Sequence, residues 1–171
     1  GSQSSASDSY GKITLGAKLN AFDGTAYSSY FNDKIDEARI YDRPLSDEEV
    51  KKLYRTTAPT GVDTGLKGYW SFDGDDISGT TATDLSGAGN HGTLTNGPTK
   101  TIGKMGQALN FNGTNQYAEV PHQSYLNSYP LTVSAWFKTS GSSNGSIVNK
   151  YPGGSLNGYQ IQMYNGQLCA W

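Results

Sequence analysis

Apolar and polar positions along this chain alternate in short runs, with a helical period in one place only. "KITLGAKL" (12–19) alternates residue by residue, the mark of a half-buried strand. In "IDEARIY" (35–41) Ile35, Ala38 and Ile40 break strict alternation, yet the run is rich in β-formers and predicts a half-buried strand. Beyond residue 65 the texture is wholly β. "LKGYWSFD" (66–73), "GQALNFNG" (106–113), "QYAEVP" (116–121), "LTVSAWFKTS" (131–140), "GSIVNK" (145–150) and "GYQIQMYNGQLCAW" (158–171) predict strands, parted by turns such as "NGP" and "FNGTN". Asn165-Gly166 between alternating flanks predicts a two-residue hairpin turn.

The helical exception is "SDEEVKKLYR" (46–55). Ser46 stands at the N-cap with Glu49 three residues on, a capping box, and acids fill the first turn. Val50, Leu53 and Tyr54 form one apolar face. Such a short helix needs tertiary packing. Residues 1–10 read as tag and linker, with Gly1-Ser2 a cloning scar and any signal peptide left off; 56–65, with Pro59 and Gly61, read as a linker between segments 11–55 and 66–171.

Composition narrows the class. The 171 residues suit one domain; 22 Gly and 12 Tyr with only 16% charged residues favour many short strands and tight turns. The expected fold is an all-β antiparallel sandwich of jelly-roll type with one short helix. A net charge of −2 argues against a nucleic-acid partner, and no apolar run reaches a membrane span, so no membrane insertion is expected. Cys169 is the single cysteine, which excludes an internal disulfide; it reads as a small buried hydrophobe in a strand.

"DLSGAGNHGTLTNGP" (84–98) has four glycines and little with which to build a core. Asp84 and Asn90 are oxygen donors six residues apart, on a loop whose glycines let carbonyls turn inward. Mixed carboxylate, amide and carbonyl oxygens suit Ca²⁺. Asp73, closing the preceding strand, can turn toward the same ion. The bland alternative is that Asp84 and Asn90 simply form Asx turns in a glycine-rich loop.

"GYWSFDGD…TATDLSGAGNHGTL", "GKMGQALNFNGTNQYAEVP" and "LTVSAWFKT" together resemble the opening half of a bacterial LamG-like module, of the concanavalin A-like lectin/glucanase superfamily. "NDKIDEARIYDRPLSDEEVKKLY" resembles the closing half of the same family. The resemblance implies a concanavalin A-like jelly roll and a structural calcium in the 84–98 loop. It also implies that Asp36 and Glu37, from the closing strand, add ligands. The order is inverted relative to the family, and nothing like its central "WHHVAVTYDG" stretch precedes the final "LCAW". Three arrangements account for this: the tail of one module joined to the head of the next, a circular permutant, or strand complementation between chains in a homo-oligomer.

Sugar binding asks for aromatic faces and amide or carboxylate groups. Tyr30, Tyr117, Tyr125 and Tyr129 with Asn115 are the candidates, alongside Tyr27, Tyr151, Gln116 and His122. Trp70 and Trp136 sit in apolar runs and read as core; His91 and His122 read as solvated loop residues. "DKIDE" (33–37) lacks the leading glutamate and final acid of the jelly-roll glucanase pattern, so a glycoside hydrolase is disfavoured. The expectation is a non-catalytic, calcium-stabilised carbohydrate-binding or adhesion module, secreted or surface-exposed, whose partner is a glycan or a surface protein. A structural spacer or protein–protein interaction repeat is the alternative.

Overall fold

The computed structural model describes residues 11–20, 26–55, 61–127, 129–140, 144–150 and 158–170. Tyr151 and the first half of the 56–65 linker, residues 56–60, lie outside them, as do residues 1–10. Fifteen strands are described: β1 (Ile13–Leu15), β2 (Lys18–Leu19), β3 (Tyr27–Ser28), β4 (Asn32–Tyr41), β5 (Leu66–Trp70), β6 (Ile77–Ser78), β7 (Thr81–Ala82), β8 (Gly92–Thr95), β9 (Thr99–Ile102), β10 (Gln107–Asn112), β11 (Tyr117–Val120), β12 (Thr132–Lys138), β13 (Gly145–Asn149), β14 (Gln160–Tyr164) and β15 (Gln167–Ala170). Among the described residues there is one α-helix, α1 (Asp47–Arg55).

The strands form an open, antiparallel β-sandwich. One sheet runs β15-β14-β13-β1-β11-β8-β7-β6; the other runs β12-β4-β10-β9, with β5 beside β10 on the same flank of β4; β2 and β3 make a small ribbon. Alternation decides which side chains meet between the layers. Ile13, Leu15, Leu94, Ala118, Val120 and Val148 from the first sheet bury against Ile35, Ile40, Trp70, Leu109 and Phe111 from the second. Phe31 meets Phe137 edge-on, with ring centroids 6.3 Å apart.

Strand β4 organises the second sheet. It pairs with β12 along one side, and with β10 and β5 end to end along the other. The segment before the linker therefore supplies the central strand, and the segment after it supplies every neighbour. β1 is likewise inserted between β11 and β13. The broken periodicity of "IDEARIY" has a physical cause here. Asp36 stands opposite Trp136 but Arg39 opposite Ser134, so β4 carries one extra residue, a bulge, and Glu37 takes φ 54. The bulge keeps Ile35, Ala38 and Ile40 in the core and leaves two consecutive acids, Asp36 and Glu37, on the outer face.

The helix starts on the expected capping box. Glu49 N donates to Ser46 Oγ at 3.3 Å, and Ser46 N donates to Glu49 Oε2 at 2.9 Å. Its apolar face is narrower than the periodicity predicts. Leu53 buries with Tyr41 and Val62, whereas Val50 and Tyr54 remain 50% and 67% exposed. Cys169 also departs from expectation: it is only partly buried, because β15 is an edge strand.

Candidate functional site

Of the stretch 84–98, Gly92–Thr95 is strand β8, paired with β7 and β11, and the loop before it, 84–91, closes on itself through Asp84. Asp84 Oδ1 accepts from Tyr69 N and Ser86 N, both at 2.9 Å; Oδ2 accepts from Ser86 Oγ and Asn90 N, both at 2.8 Å. Asn90 is equally engaged: Nδ2 donates to the Lys67 carbonyl at 2.6 Å, and Oδ1 accepts from Tyr125 Oη at 2.9 Å. The indole of buried Trp70 donates to the Asn90 carbonyl at 3.0 Å. His91, exposed, accepts from Asp84 N through Nδ1. Asp84 and Asn90 are buried, and four donors fill the acceptor positions of Asp84. This donor set staples a glycine-rich loop to β5 and does not fit a cation.

A different pair of acids has the character of a cation site. Asp36 is 3% exposed; its Oδ2 accepts from Lys104 N at 2.6 Å and Met105 N at 3.2 Å, while Oδ1 is buried without a hydrogen-bond partner. Asp73 Oδ1 accepts from Gln107 N at 2.6 Å, where the same β9–β10 loop enters β10. Two glycines make the approach possible. A Cβ on Gly103 would stand 2.5 Å from Asp36 Oδ2, and one on Gly106, where φ is +51, would overlap Asp73 Oδ1. Burial pushes the Asp36 carboxyl up to about 6, against the pull of the Met105 and Lys104 amides; Glu37 and Asp73 push the same way as burial. An orphaned carboxylate oxygen with a second acid nearby fits a hard cation.

Glu37 is otherwise committed. It pairs with Arg39, and Tyr69 Oη donates to both of its oxygens, at 3.2 and 3.0 Å. Arg39 in turn lies 4.1 Å from the Tyr69 ring centroid. Burial raises the Glu37 carboxyl and Arg39 opposes it. The five residues read as calcium ligands thus separate into three settings: Asp84 with Asn90 in the loop staple, Glu37 with Arg39 and Tyr69, and Asp36 with Asp73 around the 103–106 turn. Among the described residues no three acid, histidine or cysteine side chains gather as a metal centre.

Of the sugar-binding candidates, Tyr30 and Tyr117 come together and are joined by Tyr27. Tyr27 stacks on Tyr117 with centroids 4.2 Å apart, and Tyr30 lies 6.4 Å from Tyr117. Tyr117 and Glu119 point outward from β11 because Ala118 and Val120 point into the core. Tyr27 Oη donates to Glu119, which also pairs with Lys12 at 2.8 Å. Burial first, then Glu119, raises the Tyr27 phenol; burial raises that of Tyr30. The result is a half-exposed aromatic shelf with one acid and one base at its rim. Tyr125 is instead tied to Asn90 and packs on the core. Tyr129, 63% exposed, donates to the Gly158 carbonyl at 2.7 Å. Asn115 belongs to the β10–β11 turn, bonded to Asn112 and Asn96.

Trp136 corrects another expectation: it is not in the core. It lies on the outer face of the second sheet, between Tyr54 of α1, stacked at 5.3 Å, and Lys104, whose Nζ is 4.6 Å from the ring centroid. The signal was present in the sequence. In "LTVSAWFK" Val133, Ala135 and Phe137 are in one phase, and Trp136 is in the other, with Thr132, Ser134 and Lys138. Comparison with protein families, with curated proteins and with solved structures finds no match to this chain.

Proposed function

We propose that this chain is a non-catalytic, LamG-like carbohydrate-binding module, stabilised by calcium and working outside the cell or on its surface. The observation that carries the glycan reading is the shelf of Tyr27, Tyr30 and Tyr117. Three neighbouring rings, stacked or tilted, offer the C–H face of a pyranose an apolar surface, and Glu119 and Lys12 stand beside it for hydroxyls. Asp36 and Asp73 are the residues that would hold calcium; the ion would supply charge compensation for buried carboxylates and tie β4 to the β9–β10 turn. The inverted order of the two family-like halves is supported as a permutation closed within one chain by the place of β4 among strands of the later segment.

The non-catalytic reading is supported by Glu37 and Asp84, each held by several internal donors, and by the burial of Asp36, which keeps its carboxyl from a glycosidic bond. The test is binding to a glycan array followed by titration of the best ligand against wild type and Tyr117→Ala. Loss of at least tenfold in affinity with an unchanged melting temperature is expected. A folded variant that binds every glycan as well as wild type would sink the shelf as the site.

A further inference from the structure

A second binding surface lies on the opposite sheet. Lys34 and Lys138 stand directly across from each other in the β4–β12 register, and two positions along, Asp36 stands opposite Trp136. All four belong to the outer phase of their strands, since Ile35 and Phe137 face the core. Lys104 arrives from the β9–β10 turn and lays its ammonium over the Trp136 ring. These residues line a groove of about 400 Å³, with Ile102, 81% exposed, at its lip. That volume lies within the range of small-ligand sites.

The charge in this groove is unbalanced. Among the described residues none of the three lysines forms an ion pair. Lys34 reaches only a carbonyl, that of Ile102 at 3.4 Å. Like charges placed directly opposite in a sheet repel, so the Lys34–Lys138 pair is a standing cost. The chain as a whole is negative, at −2, which makes this local excess of positive charge a feature of the groove and not of the surface at large. Asp36 is the acid in the lining, and its oxygens are turned to the Lys104 and Met105 amides or buried.

We propose that this groove binds an acidic saccharide, a pyranose bearing a carboxylate. The ring's apolar face would take the place of Lys104 against Trp136, and the carboxylate would sit between Lys34 and Lys138, relieving their repulsion. Lys104, exposed and held by a weak cation–π contact, would swing to the same carboxylate. This site is separate from the tyrosine shelf and stands or falls independently of it.

The test uses oligosaccharides of galacturonate, glucuronate, mannuronate and guluronate, each beside its methyl ester, titrated calorimetrically at low and moderate salt. At least one uronate series should bind, weaken as salt rises, and lose affinity as its ester. Lys34→Gln/Lys138→Gln should weaken that binding at least tenfold, whereas Tyr117→Ala should leave it unchanged. The unliganded double variant should melt no lower than wild type, because it removes a repulsion; this separates lost binding from lost fold. The proposal is overturned if no uronate binds at millimolar concentration, if esters bind equally, or if the folded double variant binds as well as wild type. A hexaglutamate peptide binding as tightly as the best uronate would also overturn it, by showing that the groove reads charge without the ring.

Discussion

Ala38 and Trp70 lie directly opposite each other in the β4–β5 pairing, one from each side of the 56–65 linker. Both are buried in the same core. The earlier segment is thus no appendage: it fills the centre of a sheet whose flanks it does not supply.

Residues 61–171 produced alone should therefore behave badly, because removing β4 exposes Leu109, Trp70 and Phe137 together with the edges of three strands. Aggregation or strong dye binding is expected, with rescue when residues 1–55 are co-expressed as a separate chain. A monomeric 61–171 fragment melting cooperatively at the full-length temperature would contradict the assignment of β4 as a structural core strand.

Asp84→Ala should be severe and indifferent to calcium. It leaves the amides of Tyr69, Ser86 and Asn90 without their buried acceptor. Loss of charged hydrogen bonds of this kind costs roughly 3 kcal/mol or more. Urea titrations with calcium and with chelator should give the same deficit; a deficit confined to calcium-containing buffer would point to Asp84 as a metal ligand after all.

Calcium should act through Asp36 and Asp73. A ligand at 100 times its dissociation constant raises stability by about 2.7 kcal/mol, and Asp36→Asn or Asp73→Asn should remove that gain. In chelator Asp36→Asn should cost little, because it also removes a charge whose burial is unfavourable. Gly106→Ala should destabilise by about 1–3 kcal/mol with or without the ion, given its φ of +51 and the overlap with Asp73. Equal calcium shifts in wild type and Asp36→Asn would exclude this site.

Acid should loosen α1 before it unfolds the sandwich. Arg43 donates to both Glu49 oxygens, at 2.8 and 2.5 Å, and with Ser46 lowers the Glu49 carboxyl from 4.5 to about 2. A depressed carboxyl contributes stability that is complete above its unfolded value and is lost as pH falls from about 4.5 toward 2. Because Tyr54 stacks on Trp136, tryptophan fluorescence should report the change. Arg43→Ala should flatten that part of the pH profile, and an unaltered profile would exclude the pair as its source.

The longer strands, the capping box and the Asn165-Gly166 hairpin were legible because each rests on local chemistry: β-forming runs, a Ser–Glu exchange, and a residue pair tolerant of positive φ. Strands β8 and β9, short and polar, were not, and the 12–19 run is broken at Gly16, where φ is 87. The strand around Asp36 was legible as a strand, but its bulge is a property of pairing with β12, and its effect on Glu37 needs the partner register. Asp84 and Asn90 were recognisable as loop-forming oxygen donors. What they accept from, β5 amides and a tyrosine far along the chain, is fixed only by packing. Trp136 was misread because an apolar residue type was given more weight than its strand phase, and the lysine pair was invisible for want of a register.

The central place of β4 also sets a timetable for assembly. Its hydrogen-bonding edges are complete only when β5, β10 and finally β12 have been made, all of them later in the chain. During synthesis a strand with one apolar face and two open edges must wait for the last of these neighbours. Folding dominated by such distant pairings is slow, and the waiting strand is the segment that a chaperone would have most reason to hold.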